Sequence, residues 1–91
     1  MKQAIFSVVR SDEPVQTERV DQPGKVTKRR SVVLREWGSK FSDEYVCTIV
    51  GDAADAQLKA GDVCIAAIQF KASEYNGRFY QDATIYEIAT L

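Results

Sequence analysis

The sequence contains no histidine. That absence removes the Ser-His-Asp triad, the Cys-His pair and imidazole acid–base catalysis together. Cysteine is scarce: Cys47 and Cys64 are the whole supply, too few for a zinc site without histidine to help. Both sit inside apolar runs, YVCTIV and DVCIAAI, where a free thiol packs as a small hydrophobe. In a reducing compartment that is the expected state, in preference to a single disulfide. No apolar run approaches the ~20 residues of a membrane span. The start, MKQAIFSVVRSDE, has one lysine and a short strand-like run with charges soon after, unlike a secretory signal. The expectation is a cytoplasmic protein with no membrane partner. Phosphate-cradling glycine loops and metal-ligand clusters are also missing, and the acids are scattered. No enzymatic activity, metal or small-molecule cofactor is therefore expected.

What remains is an ordinary globular composition, 45% hydrophobic and 27% charged, in 91 residues. That length suits one domain, residues 1–91, whose small size demands an efficient core. The apolar pattern is short and two-fold, the mark of strands. A first strand is read over QAIFSVVR (3–10). The polar stretch 11–25, holding both prolines, reads as a long loop or a ragged strand extension. A second strand runs through VTKRRSVVLREW (26–37), with Ser31, Val33, Arg35 and Trp37 on one face and Arg30, Val32, Leu34 and Glu36 on the other. A turn, GSKFSDE, leads to a third strand, EYVCTIV (44–50), in which Tyr45, Cys47 and Ile49 share a face.

The alanine-rich segment GDAADAQLKAGD (51–62) reads as a helix of two or three turns, with an aspartate cap and Gly61 as its stop. DVCIAAIQFKA (62–72) and FYQDATIYEIA (79–89) supply the fourth and fifth strands. Asn76-Gly77 joins them, the favoured centre of a tight hairpin turn. Five strands with one short helix between the third and fourth is the order of the OB-fold, an all-β, partly open barrel. Another small barrel or sandwich without the helix is the rival.

The motifs Thr48-Ile49-Val50-Gly51 and Leu58-Lys59-Ala60-Gly61-Asp62-Val63 resemble the bacterial single-stranded DNA-binding proteins and the related primosomal replication protein. The hairpin Tyr75-Asn76-Gly77-Arg78-Phe79-Tyr80-Gln81-Asp82 is similar to a family of small uncharacterised bacterial OB-fold proteins. The resemblance spans roughly residues 26–89. It implies an OB-fold and binding of single-stranded nucleic acid. One feature departs from it: Val50 stands where an aromatic is usual before the glycine.

Net charge is −1, but from Lys25 to Lys40 six cations (Lys25, Lys28, Arg29, Arg30, Arg35, Lys40) stand against one acid, Glu36. Such a run suits a phosphate backbone or equally a solvated strand that discourages edge pairing. Single-strand binders add rings on which bases stack. Trp37, at the end of the second strand, and Tyr75, at the hairpin rim, are the expected platforms. Lys28, Arg30, Arg35 and Arg78 are the expected phosphate contacts. Arg78 has a plainer alternative, an ion pair with Glu74 or Asp82. Phe6 and Tyr86, inside apolar strands, are assigned to the core, as is at least one of Phe79 and Tyr80, which point to opposite faces. The expected partner is single-stranded DNA or RNA. The alternatives are a protein-interaction module on the same barrel, or a homodimer formed through an exposed strand edge.

Overall fold

A computed structural model of the chain describes residues 1–18, 26–38 and 43–91. Lys25, Lys40 and Phe41 lie outside the described residues. The elements are β1 (Lys2–Ser11), β2 (Val15–Glu18), β3 (Val26–Glu36), β4 (Glu44–Val50), a single 3-10 turn (Gly51–Asp55), β5 (Val63–Tyr75) and β6 (Arg78–Thr90).

The sheet runs β1-β5-β6-β4-β3, and a further β1–β3 pairing closes it into a barrel. Closure leaves no free edge along the shared part of the ring. Every barrel pairing is antiparallel except β4–β6, which is parallel and joins only Thr48 to Thr84 and Ile49 to Ile85. The short β2 lies against the start of β3, from Val15 opposite Arg29 to Glu18 opposite Val26. β1 lies against the other half of β3, ending at Ser11 opposite Val32. β2 thus resumes β1 past a break at residues 12–14, where Pro14 has no N–H for the ladder. Of the loop or ragged strand extension read over 11–25, residues 15–18 form this strand, and 19–25 lie outside the described residues.

Strand alternation builds the core. Phe6 and Val8, Val32 and Leu34, Cys47 and Ile49, Cys64, Ala66 and Ile68, and Ile85 all point inward and are buried. Burying each of the larger side chains contributes roughly 1.5–3 kcal/mol. Ala54 and Leu58 are also buried, brought in by the segment between β4 and β5. Near the start of β1, Tyr45 packs edge-on to Phe6 and tilted against Phe70, with ring centroids 6.0 Å apart in both pairs. Among the described residues no charged or polar side chain is buried.

The expected two- or three-turn helix is one 3-10 turn. Its N-cap is Val50, with no side-chain capping bond, and the chain is already extended at Ala56. Alanine content alone does not sustain a helix this short, because nucleation is costly. Nor does Gly61 end the helix. It holds φ +93° in a later turn, where Asp62 accepts from the Lys59 N–H through its side chain and donates its own N–H to the Lys59 carbonyl.

β5 and β6 outrun the barrel. β1 leaves β5 at Lys2 opposite Ile68, and the remaining pairs continue from Gln69 opposite Thr84 to Tyr75 opposite Arg78. At ~3.3 Å per residue, the ribbon projects roughly 20 Å. Its turn is the one expected, with Asn76 at φ 51° and Gly77 at φ 75°. Beyond Phe70, which packs against Tyr45, the ribbon stands clear of the core: Phe79 is 83% and Tyr80 47% exposed, and neither enters it. Tyr86 is also outside, 60% exposed, because it alternates with the buried Ile85. Phe6 is in the core as expected.

Candidate functional site

The weakest seam of the barrel opens into a cleft. Beyond the two parallel pairs that join β4 to β6 the strands separate, leaving a cavity of about 640 Å³. Arg29 of β3, Val46, Thr48 and Val50 of β4, Gln69 and Lys71 of β5, and Gln81, Asp82, Ala83, Thr84 and Tyr86 of β6 line it. Four successive β6 residues, 81–84, belong to both faces of their strand. The cleft therefore follows the strand's open edge as well as its outward face.

That outward face continues up the ribbon. Arg78, Tyr80, Asp82, Thr84 and Tyr86 alternate along β6, while Tyr75 stands opposite Arg78 and Lys71 opposite Asp82. Arg29, Lys71 and Arg78 form no ion pair among the described residues. The pairing of Arg78 with Glu74 or Asp82 is thus not made. Tyr75, Tyr80 and Tyr86 are all exposed, so three rings and three uncommitted cations share one surface.

The sequence-derived site residues scatter over three places. Tyr75 and Arg78 meet at the ribbon tip. Trp37, exposed in the turn after β3, donates its backbone N–H to the Ile5 carbonyl at 3.0 Å. This puts it at the barrel end from which the ribbon leaves. Arg35 lies on the outward face of β3 but is held by the Glu44 carboxylate opposite it. Lys28 and Arg30 lie on the inward side, with Val32 and Leu34, at the opposite end. There Lys28 binds Asp55 at 2.6 Å, an interaction that raises the lysine pKa above its usual value. Arg30 donates to Ser11 Oγ and to the carbonyls of Asp12, Ala54, Ala56 and Leu58. Both are committed to the protein itself.

Arg29, Lys71 and Tyr86 went unselected by sequence reasoning. Parity held the signal for two of them: Arg29 alternates with buried Val32 and Leu34, and Tyr86 with buried Ile85. Lys71 offered none, since its value depends on where β1 stops. Neither cysteine adds chemistry. Both are free, and burial pushes the Cys47 thiol up to about 11. Burial, followed by the charge of Asp62, raises Cys64 too. At neutral pH both stay protonated and unreactive. Among the described residues no group of metal-ligating side chains gathers.

A closed five-strand barrel of this order, with a cleft across its outward face, is an OB-fold. The second OB-fold domain of replication protein A from Methanococcus maripaludis, a solution NMR structure, matches it with a TM-score of 0.73. The alignment covers 98% of this chain and 81% of that one, at 19% identity. By sequence, no family model and no curated protein matches.

Proposed function

We propose that the chain binds single-stranded nucleic acid along the β4–β6 cleft and up the outward face of the ribbon. One observation carries this reading: on that continuous surface, cations with no ion-pair partner among the described residues interleave with exposed tyrosines. Arg29, Lys71 and Arg78 are placed to neutralise phosphates and release counterions. Tyr75, Tyr80 and Tyr86 offer faces for stacking, worth roughly 1–3 kcal/mol per base. Stacking on a side chain needs an unpaired base, which favours a single strand over a duplex. The resemblance to single-stranded DNA-binding proteins and the structural likeness to a replication protein accord with this reading. The role is binding, with no chemical step.

Anisotropy of a labelled oligonucleotide of about 20 bases, single-stranded and annealed, tests it. The single strand is expected to bind more tightly than the duplex. The Arg29→Ala/Lys71→Ala double variant is expected to weaken binding by roughly tenfold at low salt. No binding of either form at low salt refutes the proposal.

A further inference from the structure

We infer that the cleft prefers bases bearing an exocyclic amino group over thymine and uracil, with Asp82 as the selecting residue; this rests on the nucleic-acid reading above. A site that ignores sequence needs only cations and rings. This cleft also holds a carboxylate, two amides and two hydroxyls, those of Asp82, Gln69, Gln81, Thr48 and Thr84. Asp82 is exposed on the cleft wall and forms no ion pair among the described residues, although Lys71 stands opposite it in register.

An ionised carboxylate only accepts hydrogen bonds. It gains nothing from a phosphate, which it repels, so a base edge is the part of the ligand it can favour. Cytosine presents its N4 amino group and adenine its N6 amino group as donors. Thymine and uracil flank their one ring N–H with two carbonyl oxygens, which a carboxylate repels. The glutamine amides each carry a donor and an acceptor, enough to complete the rest of a base edge. The plainer role of Asp82 is a cross-strand charge pair with Lys71, which would support the ribbon and read no base.

The decisive comparison is oligo-dC against oligo-dT, two pyrimidines of similar size, with oligo-dA as a third probe. Wild-type protein is expected to bind oligo-dC and oligo-dA more tightly than oligo-dT by roughly five- to tenfold, the scale of one modest base-edge contact. Asp82→Asn keeps the shape but removes the charge. It is expected to raise oligo-dT affinity and narrow the dC/dT ratio, leaving the unfolding midpoint near wild type. Equal binding of all three oligonucleotides overturns the selection and leaves the nucleic-acid reading standing. An unchanged dC/dT ratio in Asp82→Asn removes Asp82 from the role. Binding of none overturns both.

Discussion

The guanidinium of Arg30 ties the junction between β1 and β2 to the segment between β4 and β5. Its Nε reaches Ser11 Oγ at 2.8 Å and the Asp12 carbonyl at 2.9 Å, across the break between β1 and β2. Nη1 and Nη2 hold the carbonyls of Ala54, Ala56 and Leu58, fixing the chain that closes the barrel end. A planar fork of five donors fits this array, and a lysine ammonium does not. Arg30→Lys is therefore expected to lower stability by roughly 2–4 kcal/mol, read from a urea midpoint. Oligonucleotide affinity, measured where the variant is still folded, should barely change. A large loss of affinity with unchanged stability would return Arg30 to the phosphate contacts. At the other barrel end, Glu36 pairs with Lys2 and accepts from Tyr45 Oη. The hydrogen bond from Lys2 holds the Glu36 carboxyl below its ordinary 4.5, and the same bond raises Lys2 above 10.5. A depressed carboxyl stabilises the fold above its ordinary pKa and loses that contribution as pH falls through the folded value. A raised lysine stabilises below its ordinary pKa and loses that contribution as pH climbs through the folded value. Thermal midpoints should thus fall below about pH 4.5 and above about pH 10.5, and Glu36→Gln should flatten both limbs.

The ribbon is an element with no core of its own. Its rings are exposed, so removing one should cost binding and leave folding alone. Tyr75→Ala and Tyr80→Ala are each expected to weaken single-strand binding by roughly 1–3 kcal/mol, with unfolding midpoints close to wild type. Gly77→Ala acts on the turn itself, since φ 75° suits glycine; a cost of about 1 kcal/mol is expected there. The turn was legible from Asn76-Gly77, and the inward sets of β3 and β4 from strand parity. The ribbon's length was not. It depends on where β1 and β4 stop pairing, at Ile68 and Thr84, and tertiary contacts decide that. For this reason neither Phe79 nor Tyr80, at least one of which parity places in the core, reaches it. The helix stops short of its expected length for a related reason: Arg30, distant in sequence, holds that segment's carbonyls in place of continued helical bonds. The cation run was legible as composition, but not which of its members Asp55, Glu44 and the barrel carbonyls would engage.

At the scale of the whole molecule, the distribution of free charge matters more than the net −1. Lys2, Arg10, Lys28 and Arg35 are ion-paired with acids, and Arg30 is hydrogen-bonded to the barrel. Lys59 lies in the turn before β5, away from the cleft. Among the described residues, Arg29, Lys71 and Arg78 are left for phosphates on the proposed surface. Single-strand binding loses affinity with a log–log salt slope near −0.7 per phosphate neutralised, so three contacts imply a slope of roughly −2. Had Lys28, Arg30 and Arg35 also faced the ligand, six contacts would imply roughly −4. Titrating an oligonucleotide across several salt concentrations distinguishes the two. Lys71→Ala should then make the slope shallower by about 0.7, while Lys28→Ala should leave it unchanged. A slope near −4 that becomes shallower in Lys28→Ala would mean that phosphates displace Asp55 and Glu44, and that the site reaches round to β3. A slope near −2 confines the electrostatic contact to the cleft and the ribbon, leaving the remaining affinity to the tyrosine faces.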